Sequence, residues 1–143
     1  MIDDRMLAST AGRFCTAGAT ITHVSLGLAM LALVVLAFGG SASPRAWGWG
    51  LVAALGIPGA WYRFRLAFDA GVFADVAARD EGAVAARLAA FDAALDVLSG
   101  HPRKVVATGA LPERVRGARR LVVRAASVTL AQALVALLAA LAP

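Results

Sequence analysis

The stretch AGATITHVSLGLAMLALVVLAF, residues 17–38, decides the fold. Its 22 residues include no Asp, Glu, Lys or Arg. As a helix rising 1.5 Å per residue it is about 33 Å long, enough to cross the ~30 Å hydrocarbon core of a bilayer. Arg5 and Arg13 precede it, and Gly39-Gly40-Ser41-Ala42-Ser43-Pro44 reads as a short loop after it. A secretory signal peptide is the competing reading, with Val24–Phe38 as the apolar region and Ser41-Ala42-Ser43 as a small-residue cleavage site. The long segment ahead of it, Pro44 just after the cut and the second apolar stretch that follows weigh against that reading.

The whole chain agrees with a membrane setting. Of 143 residues, 60% are hydrophobic and 16% charged, against about 45–50% and about 25% in an average soluble domain. A chain of this size leaves roughly a third of its unfolded surface exposed even when well packed, so the apolar surplus needs lipid. The net charge of +5 comes mainly from arginines beside apolar stretches, without the interleaved aromatics that stack on bases. Anionic lipid headgroups are therefore the expected partner rather than nucleic acid. One cysteine, Cys15, excludes an internal disulfide and a cysteine-based zinc cage, and the absence of Asn excludes N-glycosylation.

Two further spans are expected. Residues 46–62 are short for a crossing but carry Trp47 and Trp49 at one end and Trp61 and Tyr62 at the other, as in an aromatic belt. Gly56, Pro58 and Gly59 inside this stretch predict a kink or a close helix contact. Residues 121–143 are rich in Leu and Ala. Ten Lys and Arg lie between Arg63 and Arg120, whereas only Arg45 lies between the first two spans. The positive-inside rule then places the N-terminus inside and the C-terminus outside.

The expected fold class is thus an all-α membrane protein: three transmembrane helices with a cytoplasmic amphipathic helical hairpin between the second and third. The expected segments are a cytoplasmic tail (1–16), helix 17–38, an external loop (39–45), helix 46–62, a cytoplasmic helical region (63–120) and helix 121–143. Arg-over-Lys and Ala-rich composition is compatible with a GC-rich bacterial source, and the expected location is a bacterial inner membrane. Within 63–120, Val84, Leu88, Phe91, Leu95 and Leu98 repeat at 4, 3, 4, 3 and form one helical face, with Asp92 and Asp96 opposite. Gly82 is the natural break before this helix, and Gly100 and Pro102 are its natural stop. Leu66, Phe73 and Val76 make a weaker stripe upstream. After Pro112, Arg116, Arg119, Arg120 and Arg124 share one side and Leu111, Val115, Ala118 and Val122 the other.

Several residues stand out as candidates. Thr20, His23 and Gln132 are polar groups inside expected spans; Thr16, Thr20, His23 and Gly27 follow one another at 4, 3, 4. Such groups hydrogen-bond a neighbouring helix or line a path. Ser127 and Thr129 add to a polar side around Gln132. Asp69 and Arg124 fall at corresponding ends of the second and third spans and are a possible interface pair. Arg63, Arg65, Arg116, Arg119 and Arg120 suit lipid headgroups. The stripe from Val84 to Leu98 needs burial, on the chain itself, on lipid or on a partner protein. Ser, His and Asp occur singly, without a spacing that argues for a triad, and no phosphate-binding glycine loop, HExxH or CxxC occurs, so no catalytic residue, metal or cofactor is expected. The function expected is that of a small accessory or scaffold subunit binding other membrane proteins or its own copies. A homo-oligomeric pore lined by His23, Gln132 and the threonines is one alternative. A membrane enzyme for lipid-like substrates, drawing on Asp69, Asp75, Asp80 and His101, is another.

Overall fold

A computed structural model describes residues 4–39, 44–78, 84–99 and 111–142. They form four helices, α1 (Asp4–Gly39), α2 (Pro44–Ala77), α3 (Val84–Ser99) and α4 (Leu111–Leu141), and no strand occurs among the described residues. The expected loop at Ser41-Ala42-Ser43, the break at Gly82 and the stop at Gly100 and Pro102 lie outside the described residues.

Local chemistry accounts for the starts. Asp4 sits in the first turn of α1, where a carboxylate faces the positive end of the helix dipole. Pro44 opens α2 and Pro112 falls in the first turn of α4, where a missing N–H costs no helical hydrogen bond. The helices run through the expected segment boundaries: α1 takes in most of residues 1–16, α2 crosses 62–63 and α4 crosses 120–121. The apolar stretches are therefore one half of longer rods, about 54, 51 and 46 Å at 1.5 Å per residue.

These three rods pack along their whole length through a repeat of 3 and 4 residues. The buried face of α1 is Ala8, Ala11, Cys15, Gly18, Thr22, Ser25, Ala29 and Ala32; that of α4 is Leu111, Ala118, Val122, Ala125, Thr129, Gln132, Ala136 and Ala139. On α2, Trp49, Val52, Gly56, Gly59, Leu66, Phe73 and Val76 fall on the same repeat. A 3.5-residue spacing keeps one seam facing its neighbours and is the mark of left-handed, coiled-coil-like packing. Directions follow from who meets whom. Arg5 Nε donates to the Ala77 carbonyl at 3.0 Å, and Gly56 faces Ala29, so α1 and α2 are antiparallel. Gly18 faces Val122 and Ser25 faces Gln132, so α4 runs parallel to α1.

Small residues set the spacing. A Cβ at Gly56 would stand 2.4 Å from that of Ala29, and a Cβ at Gly48 would stand 2.7 Å from that of Ala139. Both are closer than carbon atoms can approach, so only glycine permits this separation. Of the two outcomes expected around Pro58, the close contact is present, and α2 is helical on both sides of the proline.

Charge is segregated. Between Arg13 and Arg45, Arg45 and Arg63, and after Arg124, the chain has no Asp, Glu, Lys or Arg. The large apolar side chains there face outward: Met30, Leu31, Trp47, Ile57, Leu130 and Leu141 are all exposed. Two helices, over Asp4–Phe38 and Leu111–Leu141, are long and apolar enough to cross a membrane. The stretch 46–62 does not meet the same measure, because its tryptophans, glycines and Pro58 lower its mean hydropathy.

At the charged end α3 lies antiparallel to the last third of α2. Arg87 pairs with Asp75 at 3.6 Å, and the Phe91 ring sits 5.5 Å from that of Phe68. Val84 and Leu88, 5% and 6% exposed, join the core formed by α1, α2 and α4.

Candidate functional site

Polar groups gather at two places, one inside the apolar half of the bundle and one at its charged end. Inside, the Gln132 side chain is fully buried. Its Nε2 donates to the carbonyls of Ser25 (3.0 Å) and Val52 (2.9 Å), and its Oε1 accepts from Ser25 Oγ at 2.5 Å. One amide thereby joins all three long helices and leaves neither of its N–H groups idle. Ser127 and Thr129, which share this helix, instead bond back to the Val123 and Ala125 carbonyls of their own backbone.

His23 and Thr20 are not part of this cluster. They are exposed, as is Thr16, and the Thr20 hydroxyl donates to the Thr16 carbonyl of its own helix. No atom lies within 4 Å of where a Cβ on Gly27 would be. Thr16 borders α2 near Ala70 and Ala74, whereas Thr20, His23 and Gly27 run up the exposed side of α1. Within one copy no single path is lined by both His23 and Gln132. Ser25, the residue that does meet Gln132, was not singled out from the sequence. The signal for it exists: it lies on the unbroken 3, 4 repeat of small residues from Ala8 to Ala32.

At the charged end, α2, α3 and α4 line a partly open cavity of about 280 Å³. Its walls include Arg65, Asp69, Phe68, Phe91, Asp92 and Arg114. Arg114 forms an ion pair with Asp92 that ties α4 to α3. Arg65 Nε stands 3.8 Å from Asp69 Oδ2, too far for a hydrogen bond. Burial raises the Asp69 carboxyl above the ordinary carboxylate range, and the guanidinium groups of Arg65 and Arg114 only partly offset this. An aromatic series, Trp61, Phe64, Phe68 and Phe91, with ring centres 5.5–6.5 Å apart, climbs from the apolar half of α2 to this cavity.

The expected pair Asp69 and Arg124 is replaced by Asp69 with Arg65. Arg124 lies on the exposed side of α4 together with Arg116, Arg119 and Arg120, as the amphipathic spacing requires. Arg63 is exposed as well. Of the apolar stripe, Val84 and Leu88 are covered by this chain's own core and Phe91 is half-buried. The side chains of Leu95 and Leu98 lie outside the described residues. A carboxylate cluster with Asp75 does not form, since Asp75 turns to Arg87 on another side of α2; Asp80 and His101 lie outside the described residues. Among the described residues no group of His, Cys, Asp and Glu is placed to hold a metal ion.

Comparison with protein families, with curated proteins and with solved structures finds no match. Function must be read from the geometry alone.

Proposed function

We propose that the chain is a small integral membrane protein of three spans that serves as an accessory or scaffold subunit, meeting other membrane helices along the outer face of α1. The third span is supported by levels along the bundle. Gly48 meets Ala139, Val52 meets Gln132 and Gly56 meets Ala29. The first half of α2 is therefore at the same height as the apolar halves of α1 and α4, and wherever those are, it is too. Its Trp47, Leu51, Ile57 and Trp61 face outward, as lipid-facing side chains do. The spans are then 17–38, 46–62 and 121–143. The Arg-rich end with α3 lies on the cytoplasmic side of a bacterial-type inner membrane, held at anionic headgroups by Arg63, Arg116, Arg119 and Arg120.

The observation that carries the accessory role is the outward polar line on α1. An imidazole in hydrocarbon needs hydrogen-bond partners, and the interior of this bundle supplies none to His23, which lies on the exposed side of α1 while the buried Gln132 amide is bonded to Ser25 and Val52. A neighbouring subunit's helix meets that need. A photocrosslinking residue placed at Thr20 in native membranes tests it, with the same residue at Leu134, exposed on α4, as control. Discrete protein adducts from position 20, absent from position 134, are expected. Lipid adducts alone from both positions would refute the role.

A further inference from the structure

The cavity at the charged end matches a ligand that carries both signs of charge. Arg65 and Arg114 contribute two positive groups to its walls, and Asp69 and Asp92 two negative ones. A lone anion would meet the carboxylates, and a lone cation the guanidinium groups. The Arg65–Asp69 pair is too loose to hydrogen-bond, so both partners keep capacity for a ligand. Phe68 and Phe91, tilted by 44° to each other, add ring faces on which an ammonium group can rest. At about 280 Å³ the space lies just below the ~300–1,000 Å³ that holds drug-sized molecules, so a headgroup fits and a whole lipid does not.

The route in supports the same class. Trp61 and Phe64, 61% and 65% exposed, lead in series towards Phe68 at the cavity wall, the first pair of rings tilted and the second stacked. This is an apolar track on which an acyl chain can lie while its headgroup turns inward. Arg65 and Leu121 are the lining residues nearest the apolar half of the bundle.

We infer that this cavity binds the headgroup of a zwitterionic phospholipid with a primary ammonium, of the phosphatidylethanolamine type. Arg65 takes the phosphate, and Asp69 and Asp92 accept hydrogen bonds from the ammonium. The exposed arginines on the outer side of α4 serve anionic lipids, so the two lipid classes are bound at different places. The inference rests on the reading that residues 46–62 lie in the bilayer.

The test uses the full chain with Trp47→Phe and Trp49→Phe, which leaves Trp61 as its only tryptophan. It is reconstituted in phosphatidylcholine vesicles that contain, at equal mole fraction, dibrominated phosphatidylethanolamine, phosphatidylglycerol or phosphatidylcholine. Quenching of Trp61 reports which lipid sits at the mouth. Phosphatidylethanolamine is expected to associate about fivefold more strongly than phosphatidylcholine, the equivalent of about 1 kcal/mol. Phosphatidylglycerol, drawn by exposed Arg63, is expected to quench Trp61 to an extent that Gly117→Leu leaves unchanged. Gly117→Leu keeps every charge and fills the space, since a Cβ at Gly117 meets nothing within 4 Å; it should bring the ratio to about one. Asp69→Asn should lower it as well. Equal quenching by phosphatidylethanolamine and phosphatidylcholine, or a phosphatidylethanolamine preference that survives Gly117→Leu, overturns the inference while α2 remains in the bilayer. Quenching by none of them overturns the placement of α2 and the inference with it.

Discussion

Replacing Gln132 by Leu keeps its approximate volume and removes three hydrogen bonds that join the long helices. Interhelical hydrogen bonds in membrane proteins average about 0.6 kcal/mol and reach about 1.7. Three of them sum to roughly 2 kcal/mol. The loss is not larger, because the Ser25 and Val52 carbonyls lie inside helices and keep their backbone partners, and the freed Ser25 hydroxyl can turn to its own helix. Gln132→Leu is therefore expected to lower unfolding free energy by about 2 kcal/mol, and Ser25→Ala by about 0.6. Titration with a denaturing detergent in bicelles, followed by circular dichroism, measures both. The double variant should lose less than the two losses added, because the Ser25 Oγ to Gln132 Oε1 bond is counted in each. A Gln132→Leu chain as stable as its parent, or strict additivity with Ser25→Ala, would refute the claim that this amide locks the bundle.

Three further expectations follow from the packing and the charged end. Gly56→Ala should cost about 1–3 kcal/mol by overpacking against Ala29, and Ala29→Gly in the same chain should recover most of it in the same titration. Asp69 has a raised pKa in the fold, so its contribution to stability is fully present below the ordinary value of 3.8 and is lost as pH rises through the raised value. Unfolding measured across that window should show stability falling with pH, and Asp69→Asn should flatten the profile. Arg114→Ala removes a part-buried ion pair to Asp92 worth about 0.2–1 kcal/mol. Amide exchange should quicken in α3 and stay unchanged in the apolar half of α1.

The helical class, the apolar stretches and the amphipathic start of α4 were legible because hydropathy and a 3.6-residue period act locally. Leu111, Ala118 and Val122 are buried and Arg116, Arg119 and Arg120 exposed, as their spacing requires. The inward face of α1 was not legible by the same rule. Thr16, Thr20, His23 and Gly27 share the period of Cys15, Gly18, Thr22 and Ser25, and the two lines differ only in phase. In a soluble helix hydrophobicity would fix that phase; beside lipid the interior and exterior are equally apolar, and residue size becomes the guide. Asp69 and Arg124 were matched by height along neighbouring helices, but height says nothing of rotation. Arg124 sits on the outer side of α4, and Arg65, one turn away on α2, takes the carboxylate instead.

The same change of guide explains how α1 carries two polar lines with different duties. On the inner line every polar group is small or answered: Thr22 bonds its own backbone, and Ser25 bonds Gln132. Gly56 and Gly59 remove side-chain bulk opposite Ala29 and Ser25, so the helices approach closely enough for a single amide to bridge all three. This closeness leaves no room for a larger group, and a histidine on the inner line would push the helices apart. On the outer line bulk is unrestricted within one copy, and the largest polar residue of the apolar half, His23, lies there. Close packing inside thus leaves the imidazole a place only on the exposed side of α1. If the proposed assembly along the outer face of α1 holds, substitutions at Ser25 or Gln132 should lower stability and substitutions at His23 should change assembly alone.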